Sequence, residues 1–240
     1  MMQWPSISII VPTYQREAVL CSTLADVLEQ DYPDYEVIVV DQTQDHQPET
    51  QAYIEALTAS QQIQYHQLAW ASLPGARNYG VERSRGDIIL FIDDDVELPK
   101  GYLQAHAKVL MEKSEVGAVA GRVFDRMKLG DDPDLLIDQL PPEAMDPGIA
   151  WYHIDLVHTT QPQQVISARG CNMSFRREIF GKYGLRFDER FRGNAVREES
   201  DFCLRLRETG YIVWYSPEAN LIRLGVESGG CHDISTRSLA

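Results

Sequence analysis

The sequence predicts an α/β fold, with a mostly parallel central sheet flanked by helices and a more irregular second half. Three observations carry that expectation. Apolar, β-branched runs alternate with segments of helical spacing through the first 124 residues. Those runs are apolar throughout rather than alternating, as strands covered on both faces are. The Asp87–Ile92 run, preceded by Gly86, ends abruptly in the acids Asp93, Asp94 and Asp95 before Pro99, and the carboxyl ends of parallel strands are where open α/β sheets bind ligands.

The elements follow in order. Ile7–Val11 reads as a first strand stopped by Pro12, and a polar loop through Arg16 and Glu17 leads to a helix marked by Leu20, Leu24, Val27 and Leu28, closed by Tyr32-Pro33. Glu36–Val40 is a second strand ending in Asp41, and Tyr53, Ile54 and Leu57 mark a second helix. Ile63–Leu68 is a third, more exposed strand, and Pro74–Arg83 a short helix leading into the strand with the acids. Alternation of this kind implies right-handed βαβ units. Beyond the acids, Tyr102–Lys113 reads as a helix and Val116–Phe124 as a strand. Regular pattern fades from Asp125 to Thr160, the kind of long run that is usually a functional loop. It resumes over Val165–Phe175, then as a helix over Glu199–Thr209 ended by Gly210, and a final strand over Tyr211–Tyr215. With no repeat and no linker, residues 1–240 read as one domain, with a nucleotide half to about 124 and a more irregular half after it.

Composition narrows the partners. A net charge of −14 argues against nucleic acid, whose phosphates need clustered Lys and Arg. A phosphate-bearing substrate would need local compensation, which a metal at the acidic cluster supplies. Cys21, Cys171, Cys203 and Cys231 form no Cys-x-x-Cys pair, so neither a zinc site nor a redox motif is indicated and reduced thiols are expected. No stretch approaches a transmembrane span, so the expectation is a cytoplasmic protein, with peripheral membrane attachment left open. Three adjacent carboxylates need either full solvation or a cation, and an oxygen-lined cluster suits magnesium or manganese. The plainer reading is a solvated acidic turn.

Several segments match a known arrangement in order and spacing. Ile9-Ile10-Val11-Pro12-Thr13-Tyr14, Val39-Val40-Asp41, Pro74–Gly80 and Phe91–Asp95 together resemble the family 2 glycosyltransferases of the GT-A, Rossmann-like fold, as do Gly170–Arg177 and Arg197–Arg207 further on. The resemblance spans Ser6 to about Gly230. It implies transfer of a sugar from a nucleotide-sugar, a UDP-sugar first, to a hydroxyl of a glycan, a lipid-linked or a small-molecule acceptor, with inversion and a divalent cation. It places Asp93 and Asp95 at the metal-binding Asp-x-Asp positions, with Asp95 the more direct ligand, and Asp94 either behind them or facing the sugar. Pro12, Thr13 and Asp41 fall on positions lining the nucleotide pocket, where a carboxylate can accept from a base imide; a loop-capping role for Asp41 is the alternative. Arg77 falls on an arginine approaching the phosphates, with a surface ion pair as its alternative. Gly75 and Gly80 stand as turn or packing residues.

Glu198 and Glu199 fall on the family's Glu-Asp pair and Asp201 on a later acid, which makes Glu199 the general base by register; acids favoured by a helix N-terminus are the competing explanation. Two departures stand out. The stretch after Asp41 reads Gln42-Thr43 where relatives commonly have Gly-Ser, and Arg223 stands where many relatives carry a metal-binding histidine. Arginine cannot bind a cation, but it can pair with phosphate or with an acid of the cluster. Trp151 and Tyr152 could stack on a sugar, and His232 has no spacing argument behind it. A haloacid-dehalogenase-like phosphatase with Asp93 as nucleophile and Asp95 as acid, and an inactive nucleotide-binding module, are the competing functions. A Rossmann dehydrogenase is disfavoured because Gly-x-Gly-x-x-Gly is missing after the first strand.

Overall fold

A computed structural model of the chain describes residues 4–126, 160–226 and 228–230. Its elements are β1 (Ile7–Thr13), α1 (Ala18–Leu28), β2 (Tyr35–Asp41), α2 (Pro48–Ala59), β3 (Gln64–Gln67), α3 (Leu73–Arg83), β4 (Ile88–Ile92), β5 (Val96–Glu97), α4 (Tyr102–Glu112), β6 (Val116–Asp125), β7 (Gln163–Val165), β8 (Asn172–Arg176), α5 (Arg177–Gly181), α6 (Glu198–Glu208) and β9 (Ile212–Arg223). The strands form one sheet in the order β3-β2-β1-β4-β8-β6-β9-β5, with β7 also on β9. Pairing is parallel for β3-β2-β1-β4 and for β6-β9, and antiparallel wherever β5, β7 or β8 takes part. The mostly parallel sheet is as expected, and every reversed pairing involves a strand of the second half.

Side-chain alternation divides the core in two. Ile7, Ile9, Val11, Val37, Val39 and Leu90 face one side, where Leu20, Leu24 and Val27 of α1, Ile54 of α2 and Leu103 of α4 cover them. Ile10, Ile38, Val40, Ile89 and Phe91 face the other, against α3, α5 and α6. The strands are apolar throughout because both faces are buried. Gly80 of α3 sits so close to β1 that a Cβ there would lie 2.5 Å from Ile10 Cγ2, so glycine sets the helix-to-sheet distance.

Three boundaries differ from the sequence expectation. β1 runs through Pro12 to Thr13, because the β4 ladder stops at Ile10↔Phe91 and the proline faces only the β2 register. β9 continues from Tyr215 across Pro217 to Arg223, accommodated by a register break between Gly121 and Arg122 of β6. α1 ends at Leu28, before Tyr32-Pro33. The acids are followed at once by β5, too short to announce itself in sequence, whose Val96 pairs with Arg223. Most of the Asp125–Thr160 run, with Trp151 and Tyr152, and also Cys231 and His232, lies outside the described residues.

Candidate active site

The carboxyl ends of β1 and β4 open onto a cavity of ≈ 370 Å³, closed on its far side by the Arg169–Cys171 turn and the start of α6. Asp93, Asp94 and Asp95 lie on its wall. Asp93 is about one-third exposed, while Asp94 and Asp95 are buried. The compensating charge is Arg16, from the loop after β1. Its Nε lies 3.3 Å from Asp94 Oδ1 and its Nη2 3.7 Å from Asp95 Oδ2. That proximity follows from topology, since β1 and β4 are neighbours in the sheet. Arg16 does not balance the pair: burial pushes the Asp94 carboxyl up to about 7, and burial with the charge of Asp93 pushes Asp95 up to about 6. The plain solvated turn does not describe these acids.

Arg77 ties the acids to the opposite wall. Ser72, whose hydroxyl accepts from the Gly75 amide at 3.2 Å, caps α3, and Pro74 sits in its first turn. From that turn Arg77 runs fully buried beneath the cavity, its guanidinium 5.9 Å from the Phe91 ring centre and 5.3 Å from that of Phe187. It donates to the Gly170 carbonyl at 3.1 Å, lies 4.0 Å from Asp93 Oδ1 and forms a close ion pair with Glu198. A Cβ on Gly170 would lie 2.6 Å from Arg77 Nη2, so this turn needs glycine for the guanidinium to pass. The surface ion pair considered for Arg77 is excluded by its burial.

At the start of α6 the three candidate bases separate. Glu198 is buried against Arg77. Asp201 points away from the cavity and pairs with Arg205 one turn on, at 2.6 Å. Glu199 lines the cavity, half-buried, and burial raises its pKa against the opposing charges of Arg77 and Arg197. Ala195 and Arg197, with φ of 48° and 72°, hold the chain in the left-handed region just ahead of it.

The nucleotide-side residues divide. Pro12 lines the cavity and Thr13 is buried without lining it. Asp41 is fully buried and lines neither this cavity nor the shallower one beside it. Its carboxylate accepts from the Thr43 amide at 2.7 Å and the Tyr65 hydroxyl at 3.1 Å, and it contacts His46 Nε2 at 2.6 Å. Among the described residues this is an internal network that leaves the carboxylate facing no cavity. The neighbouring Gln42 lines both cavities instead, and with Tyr14, Arg16 and Arg169 it is a lining residue the sequence reading did not select. The signal for Gln42 was available, because a one-residue step along an extended chain turns a side chain to the other face.

Asn172, inside the stretch resembling an acceptor loop, is an internal fastener. It donates to the carbonyls of Arg122 and Ala219 and accepts from Tyr102, with His106 beside it. Arg223 does not stand alone: its Nη2 lies 3.3 Å from Asp125 Oδ2, and the charges of Asp93 and Asp95 also act on it. Cys21, Cys171 and Cys203 are free thiols. Among the described residues no group of three or more metal-ligating side chains is assembled, and no helix is long and apolar enough to cross a membrane.

An open, mostly parallel α/β sheet with an acid-lined cavity at its strand ends, faced by a helix-borne glutamate, is the arrangement in which α/β proteins bind ligands. Residues 8–184 match the family described as glycosyl transferase family 2, and the chain belongs to that family. The fold agrees, since the chain superposes on the mannosyltransferase PcManGT of Pyrobaculum calidifontis, solved with GDP-Man and Mn2+, at a TM-score of 0.67 and 20% identity, covering 94% of this chain and 59% of that one. It superposes on S. aureus TarS 1-349 in complex with UDP-GlcNAc at 0.66 and 18% identity, covering 93% and 59%. Among named relatives, the amylovoran biosynthesis glycosyltransferase AmsB of Erwinia amylovora is 24% identical over 86% of this chain, which spans 65% of that protein. A GalNAc(5)-diNAcBac-PP-undecaprenol beta-1,3-glucosyltransferase of Campylobacter jejuni is 31% identical over 47% of this chain and 36% of its own length. Family membership replaces the phosphatase reading of Asp93 and Asp95.

Proposed function

We propose that this chain is a single GT-A domain that transfers a sugar, with inversion, from a nucleoside diphosphate sugar to an acceptor hydroxyl. Residues to about 124 bind the donor and the remainder the acceptor. The observation that carries the proposal is the cavity itself, where Asp93–Asp95 and the half-buried Glu199 occupy opposite walls bridged by Arg77 and Glu198. A uridine donor is the first choice and a guanosine donor the second, since the solved neighbours were caught with one or the other. The names of the relatives favour a growing polysaccharide or lipid-linked glycan as acceptor.

A divalent cation fits this site. Asp93 and Asp95 offer only oxygen ligands to the cavity, as manganese and magnesium prefer, and their charge is undercompensated by the arginines present. When bound there, the cation supplies Lewis-acid stabilisation of the charge on the leaving diphosphate. Glu199 accepts the proton of the acceptor hydroxyl, whose oxygen forms a bond to the anomeric carbon as the bond to the diphosphate oxygen breaks and the nucleoside diphosphate departs. Glu198 holds Arg77, and through it the two walls, in register.

Release of UDP or GDP from a panel of nucleotide-sugars, with and without manganese, tests this, using polyprenyl-linked and free glycan acceptors. Turnover with one nucleotide series and inversion at the anomeric carbon is expected. Binding without release under every condition would leave the inactive module, and no binding of either nucleotide would end the nucleotide-sugar reading.

A further inference from the structure

We propose that the turn at residues 194–197 sets acceptor specificity, with Val196 meeting the C–H face of an acceptor sugar and the Asn194 carboxamide one of its hydroxyls, beside Glu199. The inference rests on the sugar-transfer reading above and names the acceptor group the protein contacts, a sugar ring rather than a lipid chain.

Val196 is the most exposed large apolar side chain among the described residues, at 59%. It also lines the cavity, as do Asn194, Ala195, Arg197 and Glu199 around it. A lone valine on an open surface calls for no explanation, but here the backbone is built to present it. Ala195 and Arg197, on either side, take the left-handed φ of 48° and 72° that residues with a Cβ rarely adopt. Such a conformation persists only where the surroundings enforce it, and three anchors do so. Ala195 is buried, its amide donating to the Arg192 carbonyl at 3.1 Å and its carbonyl accepting from the Glu198 amide at 3.2 Å. Upstream, Asn78 of α3 clasps Phe187 through both amide and carbonyl, each at 2.9 Å, and the Phe187 ring stacks on Phe202 of α6 at 4.4 Å. Downstream, Glu198 pairs with Arg77. Held at both ends and drawn in at Ala195, the turn presents Val196 at the cavity by construction and not by slack.

The chemistry points to a sugar. Within three residues the turn offers the cavity a carboxamide and an isopropyl group, and Asn194 is exposed. A pyranose ring has C–H faces and a hydroxyl-bearing edge, so it satisfies both groups at once. An acyl or polyprenyl chain would cover the isopropyl group equally well, but it would strip water from the Asn194 carboxamide and return no hydrogen bond. Contact with Val196 removes apolar area of ring and side chain from water, which favours acceptor binding. It also fixes how far the ring sits from Glu199, whose carboxylate must come within hydrogen-bond reach of the reacting hydroxyl. A carboxamide placed for one hydroxyl discriminates against a sugar lacking it, because the amide is then left unpaired.

The test is steady-state transfer by the intact chain, with the nucleotide-sugar that turns over in the panel above, to the free and the polyprenyl-linked form of one glycan acceptor. Calorimetric binding of UDP and GDP runs alongside it as the donor-side readout. Val196→Ser should raise the acceptor KM by about tenfold with nucleoside diphosphate affinity unchanged. Val196→Ile, which keeps the apolar contact, should stay near the wild type. Asn194→Ala should raise the acceptor KM several-fold, and the free and polyprenyl-linked acceptors should respond alike in every variant. Both side chains are exposed, so each variant should melt with the wild type, and Val196→Ile decides if Val196→Ser does not. An acceptor KM that stays at the wild-type value in Val196→Ser and Asn194→Ala overturns the proposal. So does a rise matched by an equal loss of UDP or GDP affinity, which moves the turn to the donor side. A rise confined to the polyprenyl-linked acceptor overturns the sugar contact and assigns Val196 to the lipid chain. These outcomes leave sugar transfer standing, whereas release of neither UDP nor GDP from any nucleotide-sugar overturns that reading itself.

Discussion

Replacing Glu198 by methionine is the sharpest test of how the two walls of the cavity are joined. The substitution conserves volume and removes one member of an ion pair whose side chains are only 1–2% exposed, leaving the Arg77 guanidinium buried. Breaking a buried pair from one side costs roughly 3–5 kcal/mol. The low end applies here, because Arg77 keeps the Gly170 carbonyl at 3.1 Å and Asp93 at 4.0 Å. About 3 kcal/mol is a large part of the roughly 5–15 kcal/mol that holds a domain together. At about 2–4 °C per kcal/mol for a chain of this size, it corresponds to a fall in Tm of roughly 6–12 °C. Arg77→Met should cost a similar amount, whereas the double variant, with two apolar groups packed on Phe91 and Phe187, should recover most of it. Urea unfolding of all four proteins completes the cycle. A loss below about 1 kcal/mol for Glu198→Met, or a double variant as unstable as the sum of the singles, would refute the buried bracket.

Other expectations follow from the same geometry. Glu199→Gln should cut transfer by about 10²–10⁴-fold with donor affinity intact. Because burial raises the Glu199 pKa, wild-type kcat should fall on acidification at a pH above the usual glutamate range; an acid limb unchanged in Glu199→Gln would assign it elsewhere. His46 is enclosed by Asp41 and Glu17: burial alone would lower its pKa, but its contacts with the two carboxylates outweigh that and the net shift is upward. The stabilisation this gives is complete below about pH 6.5 and is lost as pH rises through the elevated folded-state value. Urea midpoints should therefore drop between pH 6 and pH 9 more in wild type than in His46→Asn, and parallel curves would count against it. Asp41→Asn should cost about 2–3 kcal/mol by weakening charged hydrogen bonds, with the preference between UDP and GDP unaltered. A switched preference at unchanged stability would return Asp41 to base reading.

What was legible in the sequence was the part governed by local pattern. Of the parallel strands of the first half, β1, β2 and β4 are apolar and bounded by helix signals, so their order and the position of Asp93–Asp95 could be read directly. β5 has two residues and gave no pattern, and the extension of β9 across Pro217 depends on a bulge made with β6. In the site, residue type at a strand end found the acids, while Glu199 and Arg77 were found through their match to the family's motifs. Neither found Arg16 or the pairing of Asp125 with Arg169 and Arg223, which are assembled from three or four distant segments with no local signature. The direction of the Asp41 side chain was not legible, because a strand end offers two faces. Only the packing of His46 and Tyr65 reveals which one its carboxylate takes.

The contacts of Arg16 also bear on when the site comes into being. Its guanidinium donates to the carbonyls of Val226 and Ser228, separated from it by 210 and 212 residues, and the Gly230 amide donates to Tyr14 at 2.7 Å. A chain leaving the ribosome has therefore made β1, β4 and the acids long before the segment that fixes Arg16 against them exists. The sheet can form early, but the cavity wall at Arg16 acquires its final shape only when Val226, Ser228 and Gly230 arrive. Nascent chains stalled short of that point should resist proteolysis across the first strands and yet fail to retain nucleotide.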